Sequence, residues 1–166
     1  VEAVGEDKNS GDLRDAINNG ARIIITTLQK FPVIYTEVNK TAGKNYAVII
    51  DEAQFLTKAQ VEMLVEMVDD YDVPVIAYGL RADFQNNFFE GSQWLMAWAD
   101  TIEEIKTICW CGKKATFNAR FDHTGKVLKE GEQVVLGAND QYIGLCRKHW
   151  MLGDLGPDFN GQGTGD

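Results

Sequence analysis

The sequence predicts an α/β fold: a parallel sheet with helices, followed by a small β-rich lobe closed by a metal. Three observations carry this. Arg22-Ile-Ile-Ile-Thr-Thr27 and Tyr46-Ala-Val-Ile-Ile50 are short, β-branched apolar runs, as expected of strands buried on both faces of a parallel sheet. The second run ends in Asp51-Glu52. Downstream, Cys109-Trp-Cys111 is answered by Cys146-Arg-Lys-His149, and these hold all 3 cysteines of the chain.

The bulk composition bounds the classes of function. A chain of 166 residues fits one domain, or one plus a small appendage, and 45% hydrophobic residues suffice for a core. The net charge of −9 argues against non-specific nucleic-acid binding, which needs clustered Lys and Arg. No apolar run approaches the roughly 18 residues of a membrane helix, so no membrane contact is expected. Val1 opens no signal pattern, and the lack of an initial Met points to a fragment. An odd cysteine count without a signal argues for a reducing cytoplasm rather than a disulfide framework.

Taken in order, residues 1–10 are polar and expected to fray. Asp12 can cap a short helix, Leu13 to Asn18, ended by Asn19-Gly20. The first strand follows at 22–27. Leu28 to Glu37 is ambiguous because Pro32 interrupts it. Asn39 to Asn45 reads as a polar loop. Asp51-Glu52 then lie at the carboxyl end of the second strand, where open α/β sheets bind ligands. Thr57 caps a helix, with Gln60 completing a capping box and Val61, Leu64, Val65 and Val68 forming one apolar face. Val73 to Tyr78 is a third strand, followed by a Phe-rich loop and a helix at Ser92 to Ala99.

After Thr101 the texture changes. Ala115 to Phe121 alternates, with Ala115, Phe117, Ala119 and Phe121 on one face. Asp122-His-Thr-Gly125 is a turn signal, and Gln133 to Leu136 and Tyr142 to Leu145 read as short strands. Residues 153–166 hold five Gly and three Asp with little to bury, so a disordered tail is expected. The domain reading is 1–45, 46–106, 107–152 and 153–166.

Zinc takes thiolate and imidazole ligands in a tetrahedron, and two close pairs brought together by a hairpin supply them. Cys109, Cys111, Cys146 and His149 form such a set. Four protein ligands close the shell, so the role is structural: the ion holds a lobe too small to fold on apolar burial alone. The plainer alternative is that the cysteines are small core residues and His149 lies on the surface. His123, in the turn, reads as a surface residue.

An apolar strand ending in Asp-Glu is the Walker B pattern, in which the Asp holds Mg²⁺ and the Glu activates or orients the attacking oxygen. Strands often end in acids, so the pair alone is weak. Its usual companion is G-x-x-x-x-G-K-[S/T], whose backbone N–H groups cradle phosphates. Gly43-Lys44 is followed by Asn45 and Gly125-Lys126 by Val127, and neither has a Gly five residues ahead. The 166 residues contain no such loop.

From about Tyr46 to Gly153 the chain resembles the type II (cellular/bacterial) thymidine kinases, closest to the proteobacterial branch. The strings are Asp-Glu-Ala-Gln-Phe (51–55), Ala-Tyr-Gly-Leu-Arg-Ala-Asp-Phe-Gln (77–85), Gly-Ser-Gln-Trp-Leu (91–95), Ile-Cys-Trp-Cys-Gly-Lys-Lys-Ala-Thr (108–116), Glu-Gly-Glu-Gln-Val-Val-Leu-Gly (130–137) and Tyr-Ile-Gly-Leu-Cys-Arg-Lys-His (142–149). The resemblance implies a P-loop-kinase-like α/β sheet, a zinc-bound lasso lobe over the nucleoside and a homotetramer. It implies ATP-dependent phosphorylation of the thymidine 5′-hydroxyl, a DNA precursor salvage reaction. Carried over by position, Glu52 is the general base and Asp51 the Mg²⁺ residue, with Ala53 and Gln54 beside them at the Mg²⁺–ATP site. Phe55, Leu80, Phe84 and Phe89 fall where the family packs the thymine and sugar. Val134, Val135, Leu136, Gly137 and Tyr142 fall on the lasso.

The first third departs from that pattern. Gly11 to Phe31, running on to Tyr46-Ala-Val-Ile-Ile-Asp-Glu-Ala53, resembles the motor subunit of type I restriction endonucleases, a helicase-like ATPase whose DEAH box has His where Gln54 stands. The chain therefore reads as a junction of two families at the shared Walker B string. The leading expectation is a thymidine kinase family protein, inactive in this form for want of the phosphate cradle. The alternatives are an ATPase fragment of a restriction motor and a non-catalytic zinc-lobe assembly module.

Overall fold

A computed structural model describes residues 2–4, 10–20, 24–26, 30–40, 47–133, 141–157 and 159. The chain divides into two units, Val1–Tyr78 and Gly79–Asp166.

In the first unit, β1 (Glu2–Val4) pairs in parallel with β2 (Ile24–Thr26), Glu2 opposite Ile24. A strand thus occupies part of the stretch expected to fray; three residues are too few to show a period. Helix α1 (Ser10–Asn18) buries Leu13, Ala16 and Ile17, the i, i+3, i+4 spacing of a helical face. Asp12 lies inside its first turn, where a negative charge faces the positive end of the helix dipole. Helix α2 (Phe31–Lys40) resolves the ambiguous stretch. Pro32 is its second residue, where the missing N–H would have had no partner, so the proline starts the helix instead of breaking it. The buried carboxylate of Glu37 on α2 meets Arg14 Nε of α1 at 2.8 Å.

Next, β3 (Val48–Ile50) pairs in parallel with β4 (Val75–Ala77), Val48 opposite Val75. Between them runs α3 (Lys58–Tyr71). The capping box is present: Thr57 Oγ1 accepts from the Gln60 N–H, and the Gln60 side chain accepts from the Thr57 N–H at 2.9 Å. Val61 and Leu64 are buried, as is Met67, one turn on. Tyr35 of α2 meets Tyr71 of α3 edge to face, centroids 6.4 Å apart.

The expected sheet differs in one respect. Among the described residues β1–β2 and β3–β4 are separate two-stranded sheets, not one continuous sheet. Nor are the strands buried on both faces: Ile25, Ile49 and Ile76 are 59%, 68% and 49% exposed, while Ile50, on the opposite face from Ile49, is buried. The apolar runs mark strands correctly, but the described residues supply cover for one face only.

The second unit contains α4 (Glu90–Trp98) and two antiparallel pairs, β5 (Thr107–Ile108) with β6 (Lys114–Ala115) and β7 (Phe117–Phe121) with β8 (Gln141–Leu145). Helix α5 (Arg147–Leu152) follows. Ala115, Ala119, Phe121 and Leu145 are buried around Cys109 and Cys146, so the expected apolar face exists. Its opposite face is not fully solvated, because Arg120 is buried as well. The turn after β7 forms as expected: the Gly125 N–H donates to the Asp122 carbonyl at 3.0 Å, and Gly125 takes φ +79, open to glycine at little strain. Hydrogen bonds, first from the Thr124 hydroxyl and then from the Lys126 N–H, hold the Asp122 carboxyl below its ordinary pKa.

The strand expected at 133–136 reaches the described residues only at Gln133, which is not in a strand. Past α5 the expected tail begins with structure: Leu155 is buried in the cluster with Cys109 and Cys146, and Phe159 meets Phe121 edge to face at 5.2 Å.

Candidate functional site

The first candidate site is a single turn in the first unit. After β3 the chain passes through Asp51 and Glu52 into a 3₁₀ turn, Ala53–Phe55. Glu52 has φ 53 and ψ 35, the left-handed region that a non-glycine residue rarely adopts. Three bonds hold it there. The Glu52 N–H donates to Asp51 Oδ1 at 2.9 Å, the Gln54 amide donates to Glu52 Oε2, and the Ala53 N–H donates to the Tyr78 carbonyl at 2.8 Å, just past β4. Ala53 and Gln54 are buried, while Asp51, Glu52 and Phe55 face solvent. A strained backbone that buries the supports and exposes two carboxylates suits a site that must meet a ligand. The exposed carboxylates of Asp51 and Glu52 are the groups of this turn that could meet a divalent cation.

The second site lies in the other unit. Cys109, Cys111, Cys146 and His149 bring their ligand atoms within 4.8 Å of one another. Cys109 Sγ and Cys146 Sγ lie 3.4 and 3.5 Å from His149 Nδ1, and Cys111 Sγ lies 3.9 Å from Cys146 Sγ. A tetrahedral zinc site with ordinary bond lengths has edges of about 3.8 Å between sulfurs and about 3.6 Å between sulfur and nitrogen. The residues therefore fit a zinc ion.

Local structure explains the approach. The Gly112 N–H donates to the Cys109 carbonyl at 2.8 Å with φ +82 at Gly112, which closes the first knuckle in a tight turn. Cys146 is the N-cap of α5 and His149 follows three residues on, so a single helical turn presents both. Cys109, Cys146 and His149 are buried and Cys111 is half-buried. Burial alone would raise the Cys109 pKa, but backbone N–H groups of Cys111 and Cys146, with His149, outweigh it and bring the thiol down to about 6. The Lys113 N–H would lower Cys111, yet partial burial and the neighbouring sulfurs of Cys109 and Cys146 push it up. A cation among the sulfurs removes that mutual repulsion.

The expected nucleoside residues divide between the units. Phe55 lies in the acidic turn of the first. In the second, Leu80 and Tyr142 are 42% and 52% exposed, whereas Phe84 and Phe89 are buried. Val134, Val135, Leu136 and Gly137 lie outside the described residues. Arg120, with no part in the sequence reading, links two of the others: it pairs across the strands with Tyr142, and its guanidinium lies over the Phe84 ring, 4.8 Å from the centroid. Arg120 also donates to the Glu132 carbonyl at 3.0 Å. Asp83, buried, accepts from the Gln85 and Asn87 N–H groups and from Gln133 Nε2 at 3.0 Å. Asp83 and Arg120 each stand directly between an Ala and a Phe, and that apolar flanking is the signal that could have marked both, since charged residues are rarely buried without a partner.

A β–α–β unit that ends a strand in an exposed Asp-Glu pair, together with a Cys₃His group able to hold a metal ion, makes this a mixed α/β protein with a candidate metal centre. A family model described as thymidine kinase matches residues 4–150, and the chain belongs to that family. A thymidine kinase of Legionella pneumophila (strain Lens) is 50% identical over 130 residues, covering 78% of this chain and 62% of the relative. One from Coxiella burnetii is 58% identical over 106 residues, 64% of this chain and 54% of the relative. One from Haemophilus influenzae (strain ATCC 51907 / DSM 11121 / KW20 / Rd) is 50% identical over 119 residues, 70% of this chain and 62% of the relative. The chain thus spans little more than half the length of these relatives. The family match starts at residue 4 and runs through the segment read as restriction-motor-like, so the junction of two families has no support from these matches. Among the described residues no helix is long and apolar enough to cross a membrane.

Proposed function

We propose that this chain carries the acceptor half of a thymidine kinase: ATP-dependent phosphorylation of the thymidine 5′-hydroxyl, with Glu52 as general base and a structural zinc in the second unit. The observation that carries the proposal is the acidic turn in a chain of this family. Glu52 is exposed at a strand end in a left-handed conformation, with Gln54 bonded to its carboxylate. A carboxylate held this way can accept the hydroxyl proton as the oxygen attacks. Asp51 would hold Mg²⁺, which neutralises phosphate charge when bound with ATP.

Tyr142, Leu80, Phe55, Phe84 and Phe89, with Val134 to Gly137, are proposed to pack the thymine and sugar. The P-loop-kinase-like sheet and the homotetramer are read from the family resemblance, and the cytoplasmic location from the cysteine usage. The 166 residues carry no G-x-x-x-x-G-K-[S/T], and most of the acceleration in phosphoryl transfer comes from positioning and charge stabilisation of the phosphates. General-base catalysis contributes only about 10²–10⁴-fold, so Glu52 does not replace a phosphate cradle. Residues 1–166 alone are therefore proposed to bind nucleoside weakly without turning it over. Saturation-transfer NMR with millimolar thymidine tests the binding half. Contact that weakens in Tyr142→Ala supports the pocket, and no contact removes it.

A further inference from the structure

We propose that Trp110 is the positioning residue that holds His149 in its metal-ligating orientation, and that the chain leaving α5 locks Trp110 in turn. The inference rests on the reading of the Cys₃His group as a zinc site. A histidine ligand usually donates its second ring N–H to a carboxylate or carbonyl, which fixes the plane of the ring. Nδ1 of His149 faces Cys109 and Cys146, and among the described residues no group bonds its Nε2. The ring is fixed by stacking instead. The Trp110 and His149 rings lie 4.3 Å apart, centroid to centroid, with 18° between their planes. Trp110 stands between the ligands Cys109 and Cys111, so the stacking plate is built into the first knuckle.

Trp110 is itself held on the far side of the ligand helix. Helix α5 ends at Gly153, whose φ of 68 turns the chain back. The Asp154 N–H donates to the His149 carbonyl at 3.0 Å, and the Asp154 carbonyl accepts from Trp110 Nε1 at 3.2 Å. Gly156 packs against the indole so closely that a Cβ there would lie 2.8 Å from Trp110 Cγ. The result is a closed circuit: His149 stacks on Trp110, Trp110 bonds Asp154, and Asp154 bonds back to His149. Each knuckle thereby orients the other without a carboxylate behind the histidine.

The test is zinc transfer from the full chain, loaded with one equivalent of zinc, to the chromophoric chelator 4-(2-pyridylazo)resorcinol. Trp110→Leu keeps an apolar side chain but loses the plate. It should release zinc at least about tenfold faster, the scale of losing an outer partner of a ligand. Trp110→Phe restores a ring and should return most of the retention. Gly156→Ala changes no ligand and no aromatic residue, crowds the indole and strains the backbone at φ +101, and should also speed release; if Trp110→Leu does not fold by circular dichroism, an unchanged rate in Gly156→Ala still counts against the proposal. Wild-type rates in Trp110→Leu or in Gly156→Ala, or a Trp110→Phe variant no better than Trp110→Leu, would overturn the proposal while the zinc site stands. A wild-type chain that retains no zinc would overturn both.

Discussion

The indole N–H of Trp150 donates to the main-chain carbonyl of Phe84, 3.2 Å away, from the residue next to the ligand His149. Trp150 also stacks on Phe117 at 4.7 Å and lies under the Lys129 ammonium, 3.2 Å from the ring centroid. Helix α5, which carries His149, is thus bolted to the loop that holds Phe84, proposed above to pack the thymine. Chelation should therefore raise amide hydrogen exchange at residues 80–89 as well as at 107–116 and 145–152. Exchange confined to the two knuckles would show that the bolt carries no coupling.

Phe84 makes a second, thermodynamic prediction. Its side chain is 2% exposed and carries a buried guanidinium on one face. Phe84→Ala should destabilise the second unit by about 3–5 kcal/mol, the range for losing a buried aromatic, read as a lowered urea midpoint at unchanged slope. A loss below about 1 kcal/mol would place the ring at the surface of the fold and not in its core.

The capping box gives a local control in the other unit. Thr57→Ala removes the acceptor for the Gln60 N–H and should cost about 1 kcal/mol. Circular dichroism melts should report it, with zinc content unchanged. An unaltered melting midpoint would mean that packing of Val61, Leu64 and Met67 sets the start of α3 without help from the cap.

What was legible in the sequence follows physical reach. The α3 boundary was readable because Thr57 and Gln60 are three residues apart and act locally. The convergence of Cys109, Cys111, Cys146 and His149 was readable because knuckle spacing is short-range and every cysteine belongs to the group. Helix α2 was obscured by Pro32, whose effect reverses between the first turn and the interior of a helix. The burial of Arg120 could not be read from an alternating strand, because its cover comes from Phe84 and Glu132, distant in sequence. Leu155 was hidden by glycine-rich surroundings, although α5 turns it back into the lobe. The exposure of Ile49 and Ile76 likewise depends on what covers a sheet, which β-branched composition does not report.

Zinc content measures the account of the lobe. Elemental analysis of the purified chain should give about one zinc per chain, as four ligands to one ion require. Cys146→Ser should lose the metal and melt residues 107–152 while α3 keeps its protection from exchange. A metal-free lobe with equal protection would contradict a structural role.

The central claim, Glu52 as base in 166 residues without G-x-x-x-x-G-K-[S/T], is tested most directly by a thymidine phosphorylation assay on two proteins. One is the unmodified chain. The other carries a strand–loop–helix segment with the G-x-x-x-x-G-K-[S/T] pattern in place of residues 1–45. The account predicts background activity from the first, unchanged by Glu52→Gln, and phosphorylation by the second that Glu52→Gln abolishes. Robust phosphorylation by the unmodified chain, lost in Glu52→Gln, would contradict it and show that residues 1–45 cradle ATP themselves.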